Sequence, residues 1–144
     1  MQGMEYLHRH LENQLKRLAQ KFKVVLILGA WQVGKSTILE HIFPEAKVIV
    51  FDPVEDLYNA RKDPDLFLNA YSGSLILDEI QYAPEVLAAL KRRVDRSEKK
   101  GQYFLTSSQN LSVLKNVAES MAGRLSTCQF LQILIIGARM EVQK

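Results

Sequence analysis

At 144 residues and with 47% apolar side chains, the chain has room for one domain with a real core and little room for a second. A net charge of +3 permits a polyanion partner without demanding one, and the single cysteine, Cys128, excludes an internal disulfide. The N-terminus is charged and amphipathic, and the longest apolar stretch, Phe130 to Ala138, is too short to span a bilayer. These features set the expectation of a cytoplasmic protein with no membrane segment.

Leu7, Leu11, Leu15, Leu18 and Phe22 recur at steps of three and four, which predicts a helix over about 5–20 with one apolar stripe. Val24 to Leu28 is a continuous, partly β-branched apolar run ending at Gly29, the pattern of a buried parallel strand. A helix follows from near Gly34 to His41, stopped by Pro44. Lys47 to Asp52 is a second strand, closed by Pro53. Glu55 to Ala70, polar and interrupted by Pro64, reads as short surface helices. Ser74 to Glu79 is a third strand, and Pro84 opens a helix to about Asp95 with Val86, Leu87, Leu90 and Val94 on its inner face. Gln102 to Thr106 reads as a fourth strand, Leu111 to Met121 as a helix, and Ser126 to Ile136 as a fifth strand. Strands alternating with helices, without tight hairpin signals, predict an α/β fold with a mainly parallel sheet of about five strands. Such sheets bind ligands at the carboxyl ends of their strands, where Gly29, Asp78, Glu79 and Thr106 would gather.

The stretch Gly29-Ala30-Trp31-Gln32-Val33-Gly34-Lys35-Ser36-Thr37 satisfies G-x-x-x-x-G-K-[ST] between a strand and a helix. Its glycines allow the backbone angles and close approaches that let successive N–H groups face an anion. The following helix directs its unpaired N–H groups and positive dipole end at the same place. Lys35 can reach the outer phosphates of a nucleotide, and Ser36 can coordinate Mg2+.

Leu75-Ile76-Leu77-Asp78-Glu79 is an apolar strand ending in two acids. One acid would hold Mg2+ opposite Ser36, the role read for Asp78. The other would activate a water, the role read for Glu79. Asp52 is the rival acid at a strand end, but it runs straight into Pro53 and has no second acid beside it.

GAWQVGKST, LILDEIQYAPEVLAALKRRVD, FLTSSQNL and ESMAGR occur in this order between about Tyr6 and Arg124. Together they resemble the prokaryotic AAA+-like ATPases whose ATP-binding domain is usually followed by a C-terminal domain of unknown function, sometimes described as nuclease-like. The resemblance implies a P-loop NTPase three-layer sandwich with ATP and Mg2+ as ligands. It implies a single ATP-binding domain over 1–144, with its core at 22–136 and the helix of 1–21 packed on the sheet. It implies a Walker A loop at 29–37 and Walker B acids at Asp78 and Glu79. It further implies a γ-phosphate sensor within Thr106 to Gln109, with Ser108 as the best single choice, and an arginine finger at Arg124. Past Arg124 the match fades, so the chain is expected to be the ATP-binding domain alone, without a C-terminal lid or effector domain.

Read from the residues alone, Thr106 to Ser108 can equally cap a following helix, and Arg124 can be a surface arginine. Lys91, Arg92, Arg93, Arg96, Lys99 and Lys100 form a basic cluster that could make weak nucleic-acid contact, or simply be the solvated face of a helix broken by Asp95 and Glu98. His8 and His10 face different ways on a helix, and no Cys/His spacing suggests zinc. ATP is the expected partner, with a homo-oligomer or protein partner admitted. The function expected is Mg-dependent ATP hydrolysis. The alternatives are a nucleotide-holding remnant without turnover, a different P-loop enzyme, and a DNA-associated module.

Overall fold

The computed structural model describes residues 2–29, 35–108, 131–136 and 141–143. Helix α1 (Gln2–Lys21) leads into β1 (Val24–Gly29), and α2 (Lys35–Ile42) into β2 (Lys47–Val50). Helix α3 (Pro64–Asn69) precedes β3 (Leu75–Asp78), and α4 (Glu85–Asp95) precedes β4 (Tyr103–Ser107). Strands β5 (Leu131–Ile136) and β6 (Glu141–Gln143) complete the sheet. The predicted helix over Leu111 to Met121 and the residues before Leu131 in the predicted fifth strand lie outside the described residues.

The sheet has the order β2-β3-β4-β1-β5-β6. The five strands β1 to β5 run parallel, as the buried apolar runs require, and β6 pairs antiparallel with β5. The expected count of about five is met by the parallel set; the antiparallel strand is an addition.

Alternation along the strands divides the core in two. Leu11 and Leu15 of α1 and Leu39 of α2 pack with Val25, Ile27, Ile76 and Phe104 on one face. Phe43, the residue after α2, stacks on Phe104 with ring centroids 4.2 Å apart. On the other face Val24, Leu26, Leu28, Leu75, Leu77, Tyr103 and Leu105 meet Phe67 and Leu68 of α3 and Val86, Leu87, Leu90 and Val94 of α4. The result is a three-layer α/β/α sandwich with the N-terminal helix packed on the sheet. Each fully buried aliphatic side chain contributes about 1.5–3 kcal/mol.

Two local devices fix the helices. Gly101 has φ +62, and a Cβ there would lie 2.9 Å from the Ala19 carbonyl oxygen, so only glycine lets the chain pass the end of α1. Lys23 Nζ donates to the Val94 carbonyl at 2.9 Å, placing a cation on a carbonyl of the last turn of α4.

The segment 55–70 differs from its reading as polar, with short surface helices. Pro64 does not interrupt a helix but opens one: it follows the N-cap Asp63, whose carboxylate accepts from the Leu66 N–H. Phe67 and Leu68 are buried, so α3 is a core element. The preceding loop is folded around two acids and one arginine. Asp52 Oδ2 accepts from the N–H groups of Val54 and Glu55 at 2.8 and 2.7 Å. Asp56 accepts from the N–H groups of Arg61 and Lys62, and the Arg61 guanidinium donates to the carbonyls of Asp52 and Glu55.

The two backbone N–H bonds, those of Glu55 and Val54, hold the Asp52 carboxyl below its ordinary value. Burial alone would raise Asp56, but the N–H groups of Arg61 and Lys62 and the nearby guanidinium outweigh it and hold that carboxyl low as well. A carboxyl lowered in the fold stabilises the fold above its unfolded value near about pH 3.9, and that contribution disappears as pH falls through the folded value. The protection of residues 52–62 against hydrogen exchange, taken relative to the intrinsic amide rate at each pH, is therefore expected to fall selectively below about pH 4, ahead of that of the β1 and β4 amides. A uniform loss of protection across the chain would contradict this.

Candidate functional site at the carboxyl edge of the sheet

Register sets which strand ends are level. Ile27 lies opposite Thr106 and Leu28 opposite Ser107 across β1 and β4. Leu77 lies opposite Leu105 across β3 and β4, so Asp78 comes level with Thr106. Asp78 shares its face with Ile76, the face covered by α1 and α2, and α2 packs over both β3 and β4. The first turn of α2, with Lys35 and Ser36, thus starts on the side of the sheet that Asp78 faces. Ser36 is half-buried and Thr37 exposed.

Beyond Asp78 the chain leaves the strand abruptly. Glu79 adopts left-handed backbone angles, φ 61 and ψ 50, before a short 3-10 helix, Ile80–Tyr82. For a side chain with a Cβ this conformation costs about 1–2 kcal/mol. Such strain persists where the surroundings enforce it, and it concentrates at functional sites. Consecutive strand residues point to opposite faces, so a regular continuation of β3 would send Glu79 away from Asp78. The left-handed turn keeps both acids at one edge.

Two hydroxyls at the end of β4, one on the strand and one just past it, hold them there. Thr106 is wholly buried, and its Oγ1 donates to Asp78 Oδ1 while accepting the Glu79 N–H at 3.0 Å. Ser108, two residues on, donates to Glu79 Oε2 at 2.8 Å. Gln81, on the 3-10 helix, donates from Nε2 to the same Glu79 oxygen and reaches Ser108 Oγ at 3.3 Å. Gln81 Oε1 is buried and has no hydrogen-bond partner among the described residues.

The structure thus brings together Asp78, Glu79 and Ser108 directly, with Gly29, Lys35, Ser36 and Thr37 on the adjoining β1 and α2. Ala30, Trp31, Gln32, Val33, Gly34 and Arg124 lie outside the described residues. Asp52, the rival acid, is occupied in closing its own loop. Sequence reasoning missed Gln81; its available signal was an amide two residues after the acid, among the apolar Ile80, Tyr82 and Ala83.

The basic cluster lies elsewhere. Lys91 pairs with Asp95 at 3.1 Å, and Arg92 with Asp65 at 2.7 Å. Arg93 donates to the Tyr103 hydroxyl at 3.1 Å and to Asn69. These bonds tie α4 to α3 and to the first residue of β4, the end of that strand opposite Thr106. Arg96, Lys99 and Lys100 are exposed.

Among the described residues, no helix is long and apolar enough to cross a membrane.

The fold is similar to that of the P-loop NTPase domain of the Sigma-54 transport activator from E. coli, with TM-score 0.52 and 17% identity, covering 72% of this chain and 88% of that one. It is equally similar, at TM-score 0.52 and 12% identity, to a DNA polymerase III gamma subunit-related protein from Thermotoga maritima, covering 93% of this chain and 46% of that one. In sequence, the uncharacterized proteins Rv2008c of Mycobacterium tuberculosis and Mb2031c of Mycobacterium bovis are each 30% identical over 113 residues, 78% of this chain. The matched region spans 26% of the length of those relatives. A family profile described as an AAA domain matches residues 21–135, from the last residue of α1 into β5. With that profile spanning most of its length, this chain belongs to the AAA_14 family of AAA domains.

Proposed function

We propose that the chain binds ATP with Mg2+ and hydrolyses it, with Glu79 activating the attacking water. The observation that carries this reading is the pair of site acids held at one edge, each by its own hydroxyl at the end of β4, beside the start of α2. Membership of an AAA-domain family supports the nucleotide, and the strand-to-helix glycine loop supports the phosphates as the anchored part.

The donor set suits Mg2+. Ser36 offers a hydroxyl and Asp78 a carboxylate whose Oδ1 alone is engaged among the described residues, both hard oxygen ligands. Among the described residues no three His, Cys, Asp or Glu form a metal cage, so the ion would be shared with the phosphates, as Mg2+ commonly is. When bound it would neutralise charge on the β- and γ-phosphates.

This chain's own groups would act as follows. Lys35 binds the outer phosphates. Glu79 accepts a proton from water as the water oxygen bonds to the γ-phosphorus. The bond from that phosphorus to the bridging oxygen breaks, and its electron pair leaves with ADP. Ser108 holds Glu79 in line, and Arg124 would stabilise charge on the transferring group.

The test is ATP binding and phosphate release by the purified chain beside Lys35→Ala. Turnover by the wild type, with binding weakened at least about tenfold in the variant, supports the reading. Binding without phosphate release would make the chain a nucleotide-holding domain. Absence of binding would sink the reading of 29–37 as a phosphate cradle.

A further inference from the structure

We infer that Gln81 orients the attacking water through its amide oxygen, while its amide nitrogen holds Glu79. The inference rests on the hydrolytic reading above and adds a second residue to its chemistry.

The amide has two ends with different circumstances. Nε2 is committed: it donates to Glu79 Oε2 and lies 3.3 Å from Ser108 Oγ. Those contacts also fix the orientation of the amide, because Glu79 presents only acceptors and the single Ser108 proton is given to Glu79. Oε1 is therefore the free end, and it is buried with no donor among the described residues. Leaving a buried carbonyl without a donor is costly, so its place beside the water-activating acid calls for a partner.

The missing donor is the reacting water. Ser108 and Gln81 both bond Glu79 Oε2, which leaves Oε1 as the carboxylate oxygen without a hydrogen bond among the described residues, and so the one open to a water. A water has two protons. One points to Glu79 Oε1 and is transferred; the other is donated to Gln81 Oε1 as a hydrogen bond and stays on the oxygen. Both O–H directions being fixed, a lone pair is fixed too, and it is this pair that forms the bond to the γ-phosphorus as the bridging P–O bond breaks toward ADP. The proton taken by Glu79 passes afterwards to solvent. Orienting a nucleophile in this way is a positional effect, and small misplacements of a reacting group cost about 10²-fold.

The test compares wild type, Gln81→Met and Gln81→Glu, measuring binding of a fluorescent ATP analogue, phosphate release at saturating ATP, and thermal melting. Gln81→Met keeps the length of the side chain and loses both ends of the amide. It should bind the analogue within about twofold of wild type, melt as a folded protein, and release phosphate about 10²-fold more slowly. Gln81→Glu sets a second carboxyl against Glu79, and the two cannot both be charged; with one proton shared, the new side chain donates to Glu79 as the amide does while its other oxygen accepts, so release near about pH 6 should recover at least about tenfold of that loss. Wild-type turnover by Gln81→Met, or equal slowing of both variants, overturns the role of the amide oxygen and leaves the hydrolytic reading standing. A wild-type chain that binds the analogue and releases no phosphate overturns both.

Discussion

Glu79→Gln is expected to bind ATP as the wild-type chain does and to release phosphate about 10²–10⁴-fold more slowly. The substitution isolates the base from its scaffold. The amide oxygen of the new side chain can accept from Gln81 Nε2 and Ser108 Oγ as Glu79 Oε2 does, so the network survives and only the proton-accepting oxygen is lost. The left-handed turn at position 79 belongs to the backbone and is retained. Pre-steady-state mixing with ATP, followed by separate readouts of binding and of released phosphate, makes the distinction. A rate within about threefold of wild type would remove Glu79 from the role of base, because a general base contributes at least about 10².

Thr106→Val should cost about 2 kcal/mol of stability, lowering the melting temperature by roughly 6 °C. The two side chains have the same shape, so the wholly buried site is neither emptied nor overfilled. What changes is hydrogen bonding. Asp78 Oδ1 loses its donor and the Glu79 N–H loses its acceptor in one step. Leaving such groups unpaired costs about 1–3 kcal/mol each in a buried setting, and less where water can reach, as at these half-buried acids. Thr106→Ser, which restores the hydroxyl, should recover most of the loss. Equal melting of Thr106→Val and wild type would show that the strand ends are held by packing alone.

The strands were legible because buried parallel strands write themselves as continuous apolar runs, as Val24 to Leu28 and Leu75 to Leu77 do. The strand before the glycine pattern and the helix after it were legible because their signals are local; residues 30–34 between them lie outside the described residues. Helix α3 was misread for the opposite reason: only Phe67 and Leu68 are buried in it, adjacent rather than periodic, and Pro64 looks the same in a sequence whether it breaks a helix or starts one. Strand β6, three residues long with Val142 between two polar neighbours, carries no signal of its own; it exists as the partner of β5. At the site, the acids could be named from their position, but their partners could not. The bonds from Thr106 to Asp78 and from Ser108 to Glu79 join residues 28 and 29 apart, and depend on β4 inserting between β3 and β1. That insertion is a property of the whole sheet.

The left-handed backbone at Glu79 also sets two kinds of selection against each other. Every folded molecule carries its cost, and glycine at that position would relieve the strain while discarding the carboxylate. A search of variants for heat resistance alone would therefore be drawn to position 79, and its most robust products would be those least able to turn over. A search for activity would keep the acid and collect its stabilising changes elsewhere, in the two halves of the core. Comparing where the two searches accumulate substitutions would reveal which residues the molecule keeps for its chemistry and which for its endurance.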